Sequence, residues 1–154
     1  MGSVESRLTE MGLELPAAPK PLAQYVPAKR VGLIAITSGQ VPMRDGAPLL
    51  TGQVGGAVSL EQGRQCALLC ALNALAAIKG LVGSLDDVAE IVQLRGFVNS
   101  APGFGDQPEV LNAASELMVA LFGEAGRHTR SAVGTNTLPR NLPVELEMMV
   151  RLKG

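Results

Sequence analysis

The sharpest alternation of apolar and polar positions lies near the carboxyl end, in "PVELEMMVRL". There Val144, Leu146, Met148, Val150 and Leu152 fall two apart and share one face of a strand. Glu145 and Glu147 share the opposite face. Just upstream, "HTRSAVGT" reads as a second strand, joined to the first by a turn at "LPRNLP". The surest helix lies earlier in the chain. Ser59 and Gln62 have the spacing of a capping box, and "RQCALLCALNALAAIKG" then runs apolar at helical spacing to Gly80, which predicts a helix over 60–79. A shorter helix starts at Asp106, Pro108 and Glu109, carries "VLNAASELMVALFG", and meets glycine stops at Gly123 and Gly126.

Between the two helices, "SLDDVAEIVQLRGFVNS" opens on a turn and continues as a strand with Val88, Val92, Leu94 and Val98 on one face. Glu90 breaks that face, so the strand is expected to start late. Nearer the amino end, "VGLIAITSGQVP" predicts a buried strand closed by Gly39 and Pro42, after a first strand around Gln24 to Pro27. "MRDGAPLLTGQVGG" carries Asp-Gly and Gly-Gly signals and reads as loop or short hairpin. Residues 1–22 form a short helix, capped at Ser3 and stopped at Gly12, followed by a proline-rich extended arm that leads to Tyr25. The order is strand pair, helix, strand, helix, strand pair. That order predicts one α+β domain over 1–154, a mixed sheet with both long helices on one face. The other face needs a cover, which a self-associating oligomer would supply.

Composition narrows the function. The 154 residues are 47% hydrophobic and 18% charged, with a formal net charge of −1, three Phe, one Tyr and no Trp. Neither a basic footprint nor a stacking platform for bases is present, which argues against a nucleic-acid partner. The run "CALLCALNALAAI" is interrupted by Asn73 and bracketed by Arg64 and Lys79, so it is read as too short to cross a bilayer. The amino-terminal stretch is acidic and lacks the apolar core of a secretory signal, so a cytoplasmic protein with no membrane partner is expected. Met1-Gly2-Ser3 has the glycine of an acylation start but no polybasic patch to reinforce one acyl chain. Cys66 and Cys70 stand four apart on one helix face, far in sequence from the lone His128, and read as reduced core residues rather than metal ligands. Asn73 reads as a capping or interface polar residue, and "TGQVGG", lacking the lysine of a phosphate loop, as turn material.

On the residues alone, Arg130 is a strand arginine paired across a hairpin with Glu145, worth about 0 to 1 kcal/mol. His128 shares its face, and with an ordinary pKa of about 6.5 it invites a general-base role, though a rim or interface position fits its isolation better.

Four segments change that reading: "ITSGQVP", "GFVNS", "LNAASEL" and "TRSAVGTNTLPRNLPVELE". Together they resemble the Rid family of reactive-intermediate deaminases, also called the YjgF family, and more narrowly its longer chorismate-mutase-like or endoribonuclease L-PSP branch. The resemblance runs from Tyr25 to Arg151. It implies a homotrimer with a central barrel of sheets, helices outside, and three ligand clefts between subunits. It also implies hydrolysis of short-lived enamines and imines such as 2-aminoacrylate to a 2-keto acid and ammonia, with no metal or organic cofactor. By position, the family's carboxylate-binding arginine falls on Arg130 and its glutamate on Glu145, the group that handles water and the leaving nitrogen. The substrate-binding positions fall on Tyr25, Ser38 and Asn112, with backbone groups near Gly39 and Ala132. Two departures stand out. Ala132 replaces the cysteine of many members, leaving only backbone contacts there, and "SAPGFGDQPEV" is longer than in the short members. The alternative is a non-catalytic trimer that binds small carboxylates; ribonuclease and chorismate mutase activities rank below both.

Overall fold

The computed structural model describes residues 3–21 and 23–154; Met1, Gly2 and Leu22 lie outside the described residues, and the acylation motif with them. A five-stranded sheet has the order β1 (Ala28–Val31), β2 (Ile34–Thr37), β7 (Val144–Leu152), β5 (Val88–Asn99), β6 (Thr129–Thr135). A separate hairpin pairs β3 (Met43–Arg44) with β4 (Ala47–Pro48). Three helices accompany them: α1 (Val4–Glu10), α2 (Leu60–Val82) and α3 (Gln107–Phe122).

The topology explains why both long helices share a face. β2 and β5 each pair antiparallel with β7, so they run parallel to one another, and α2 connects them across it. β5 and β6 are directly parallel, joined by α3. Two crossovers of the same hand that advance in the same direction must lie on the same side of the sheet. The core fills the space between: Val144, Leu146, Met148, Val150 and Leu152 of β7 are all buried beneath α2 and α3, as the alternation predicts.

The elements differ from the sequence reading in ways that have physical causes. The first strand begins at Ala28, not Gln24, because Val26 and Pro27 spend their carbonyls on Ser38, whose Oγ donates to Val26 at 2.6 Å and whose N–H donates to Pro27 at 2.8 Å. The single strand expected in "VGLIAITSGQVP" is two, split at Gly32, whose φ of +59° turns the chain so that Val31 faces Ile34. Helix α2 does not stop at Gly80. That glycine faces Ala18 of the arm, where an added Cβ would lie 3.1 Å from the alanine Cβ, and the helix ends at Gly83 with φ +94°. At 23 residues α2 is long enough to cross a bilayer, but Cys66 through Ile78 are largely buried in the fold, which makes it a core helix. β5 starts at Val88 rather than late, and register shifts around Glu90 and between Ile91 and Gln93 carry Ile91, not Val92, into the core. The capping box at Ser59 and Gln62 forms as expected, and Asp45-Gly46, both at positive φ, close the β3–β4 hairpin.

β6 and β7 do not form a hairpin with each other, because β5 lies between them. The connection runs through a tight turn in which Arg140 and Asn141 both adopt left-handed backbone, at φ +58° and +56°. Asn99, fully buried at the end of β5, clamps that turn: its Nδ2 donates to Asn141 Oδ1 at 3.1 Å and to the Leu142 carbonyl at 3.2 Å, and its N–H donates to Pro143 at 2.9 Å.

α3 approaches β5 through Gly96. A Cβ there would collide with Leu111 Cδ1 and Cγ, and one at Gly126 would lie 2.6 Å from the Met118 carbonyl carbon. Gly96→Ala is expected to destabilise the protein by about 1–3 kcal/mol, and Gly126→Ala by at least as much, because a backbone neighbour yields less than a side chain. Gly105→Ala, which meets nothing within 4 Å, is expected to stay within about 0.5 kcal/mol of wild type. Urea unfolding of the three variants in parallel measures the difference.

Candidate functional site

Arg130 is partly buried on β6, opposite Leu94, and points to the helix side of the sheet. Its Nη1 donates to Asn112 Oδ1 at 2.9 Å and to Ser115 Oγ at 3.1 Å. Asn112 and Ser115 stand three apart on α3, so both reach the same arginine from one helix face. Both partners are neutral. Among the described residues Arg130 forms no ion pair, and its remaining guanidinium donors have no protein acceptor. A guanidinium fixed through one nitrogen with its other donors unspent is arranged to receive a planar anion. Ala132, two residues on, packs against the core on the same side, so only its backbone is available on the edge of β6. Ser115 was not among the sequence candidates. The signal was its spacing from Asn112 within "LNAASEL".

Glu145 lies elsewhere. It alternates with buried Val144 and Leu146 on β7 and therefore projects from the sheet face away from the helices, opposite Phe97 of β5. Its carboxylate packs against Gly39; a Cβ on that residue would collide with Glu145 Oε1. Ser38, next to Gly39, holds the Val26 carbonyl beside Tyr25. Tyr25 is half exposed and walls two concavities, one of about 410 Å³ that also reaches Gly39 and one of about 380 Å³ that reaches Ser38 and Ile36. Tyr25, Ser38, Gly39 and Glu145 thus form one group toward the β1–β2 side of the sheet. Arg130, Asn112 and Ala132 form another at the β6 edge. Within one chain the structure does not bring the two groups together, and Arg130 and Glu145 are not the cross-strand pair that a hairpin would have made them.

Burial, and then the neighbouring Glu147, push the Glu145 carboxyl above its ordinary value. Glu147 is itself 3.5 Å from Arg95, its cross-strand neighbour. His128 lies beside Arg130 at the start of β6, with Nδ1 3.0 Å from the Thr129 carbonyl. Burial lowers its pKa, the Thr129 contact opposes that, and the Arg130 charge lowers it further, so the imidazole stays neutral at physiological pH. Cys66 and Cys70 are free and buried, and burial pushes the Cys66 thiol up to about 11, which removes them from nucleophilic chemistry. No cluster of three metal-ligating side chains forms among the described residues.

Comparison with known proteins gives a consistent picture. Residues 5–150 match the family described as "YjgF/chorismate mutase-like, putative endoribonuclease". Protein TCP17 of Trypanosoma cruzi is 40% identical over 152 residues, spanning 98% of this chain and 95% of that protein. The crystal structure of Atu1372 from Agrobacterium tumefaciens, a protein of unknown function, superposes with a TM-score of 0.91 at 42% identity, covering 97% of this chain and 92% of that one. A Shewanella oneidensis structure named as a putative endoribonuclease gives a TM-score of 0.94 at 35% identity, covering 98% and 100%.

The raised Glu145 pKa carries a definite sign. The folded state favours the protonated carboxyl, so this group's stabilising contribution is complete below the ordinary value of 4.5 and is lost as pH rises through the raised one. Glu145→Gln is therefore expected to melt higher than wild type at pH 8 and to converge with it below about pH 4. Calorimetric Tm values across that range test it; a variant that melts lower at pH 8 would show that the charged form has a stabilising partner.

Proposed function

The chain belongs to the YjgF/chorismate mutase-like family, and from that premise we propose that it hydrolyses reactive enamines and imines of the 2-aminoacrylate kind to 2-keto acids and ammonia, in clefts shared between the subunits of a homotrimer. The observation that carries the reading is Arg130: partly buried, oriented by Asn112 and Ser115, and without an acidic partner among the described residues. It takes the substrate carboxylate in a bidentate grip that a lysine could not reproduce.

The positions of the two groups support the sharing. One sits at the β6 edge and the other toward the β1–β2 side on the opposite face, so a head-to-tail contact between copies would unite them. A head-to-tail contact that closes makes a ring. In that cleft the substrate, held by its carboxylate on Arg130, presents its C2 carbon to a water beside Glu145 of the next copy. The enamine first takes a proton at C3 to become the iminium. Glu145 then accepts a proton from the attacking water as the C–O bond forms, and returns it to the nitrogen of the carbinolamine. The C–N bond breaks, ammonia leaves with the electron pair, and the hydroxyl gives its proton to Glu145 as the carbonyl of the keto acid forms. A carboxyl raised above its ordinary pKa by burial is a better proton acceptor toward the attacking water than an exposed one. Tyr25 walls the cleft and offers its hydroxyl, and backbone groups near Gly39 and Ala132 orient substrate and water. A ribonuclease would need a basic path for the phosphate backbone, which a net charge of −1 does not supply, and likeness of fold alone does not argue for chorismate mutase chemistry.

With 2-aminoacrylate generated in place by a serine dehydratase, the wild type is expected to accelerate its loss. Arg130→Ala should lower kcat/KM by about 10- to 100-fold, the scale of one lost charge-assisted contact. Saturable binding of small carboxylates that depends on Arg130 but brings no turnover would leave a binding protein instead. A clean monomer by light scattering at assay concentration would remove the shared cleft. The division of labour has its own test. Arg130→Ala and Glu145→Gln chains, each impaired alone, should regain activity when refolded together, because one interface in a mixed ring then carries both intact groups.

A further inference from the structure

A cavity of about 410 Å³ lies between the proline-rich arm, the β3–β4 hairpin and the middle of α2. It falls within the usual size range of small-molecule sites. It touches Tyr25 and Gly39 on one side, but its polar wall is built from residues with no part in the chemistry above: Gln40, Asn73, Lys20, Arg44 and Asp45.

Asn73 sits in the middle of α2 and is only 6% exposed. Its Nδ2 donates to the Val41 and Met43 carbonyls, both at 2.9 Å, which fixes the amide's orientation and leaves Oδ1 without a donor among the described residues. Gln40 is 7% exposed; its Nε2 donates to the Ser38 carbonyl at 3.2 Å, and its Oε1 likewise has no donor among them. Neither oxygen is sealed from solvent, since Asn99 Oδ1 is the one buried side-chain N or O atom without a partner among the described residues. Two amide oxygens free to accept, on residues that line one cavity, suit a group rich in N–H. Lys20 and Arg44 are exposed at the cavity and form no ion pair among the described residues; with Asp45 opposing them, the wall carries one net positive charge. The rest of the lining, including Pro16, Pro19, Val41 and Met43, is apolar.

We propose that this cavity is a second binding site, independent of Arg130, for a free amino acid with an aliphatic side chain. Its ammonium donates to Asn73 Oδ1 and Gln40 Oε1, its carboxylate lies near Lys20 and Arg44, and its side chain lies against the prolines and Met43. The zwitterion matches the wall in sign at both ends, which a simple carboxylate or a simple amine does not.

The test is an NMR titration of the full chain with L-leucine, following the side-chain amide signals of Asn73 and Gln40. Saturable shifts at both amides are expected, with isocaproate, which lacks the amine, binding at least about tenfold more weakly. Lys20→Glu combined with Arg44→Glu, both at exposed positions, should weaken leucine binding by about tenfold or more, whereas Arg130→Ala should leave it unchanged. Three results would overturn the proposal: no saturable shift up to about 10 mM leucine, equal binding of isocaproate, or loss of binding in Arg130→Ala with retention in the charge-reversed variant. Because the readout is binding rather than turnover, it stands or falls separately from the deaminase assay.

Discussion

The close seating of α3 on β5 at Gly96 is the constraint on which the rest depends. With no side chain there, Leu111 drops into contact with the strand backbone, and Asn112, its neighbour, comes level with β6. Arg130 is then caught between strand and helix, held by two neutral acceptors instead of waving in solvent. The same contact seals Leu94, Val98 and Leu146 beneath the helix, so a single packing event orders both the core and half of the candidate site. Gly126 repeats the device where the chain leaves α3, letting the following segment run against the Met118 backbone before it enters β6.

Much of this was legible in the amino-acid sequence. The capping box at Ser59 and Gln62 and the alternation from Val144 to Leu152 are local patterns, and local patterns survive folding when burial agrees with them. What escaped was non-local. Nothing within "HTRSAVGT" or "PVELEMMVRL" says that β5 will insert between them, since strand order is decided by the handedness of crossovers some distance away. The bulges of β5 escaped for a related reason: Glu90 was seen as an interruption, yet the strand absorbs it by slipping register and keeps pairing with Arg151 at 2.7 Å. Gly80 looked like a helix stop because the arm that needs its missing side chain lies some sixty residues upstream in sequence, at Ala18.

The candidate residues Tyr25, Ser38, Gly39, Asn112, Arg130, Ala132 and Glu145 could be singled out by motif order, but their arrangement could not: the placement of Arg130 and Glu145 on opposite faces depends on a parallel pairing that no short motif encodes. The open face carries Val31, Ile36 and Val133 as exposed apolar side chains beside the Arg95–Glu147 and Arg151–Glu90 ion pairs. A surface so mixed can be solvated in a lone chain and still become dry when covered, as interfaces between subunits often are.

The left-handed turn at Arg140 and Asn141 has a consequence for the lengths this chain can tolerate. Asn99 ties the turn to the end of β5 and so fixes which residue of β7 meets which residue of β5. Strand side chains alternate between faces, so one residue inserted or deleted between Asn141 and Val144 would send Glu145 into the core and Leu146 into solvent. The segment from Ala101 to Asp106 is anchored differently: Ala101 donates to the Val54 carbonyl at 3.0 Å and Phe104 packs against the core, but it lies outside the named strands and sets no strand register. Of two neighbouring loops, only one is a ruler.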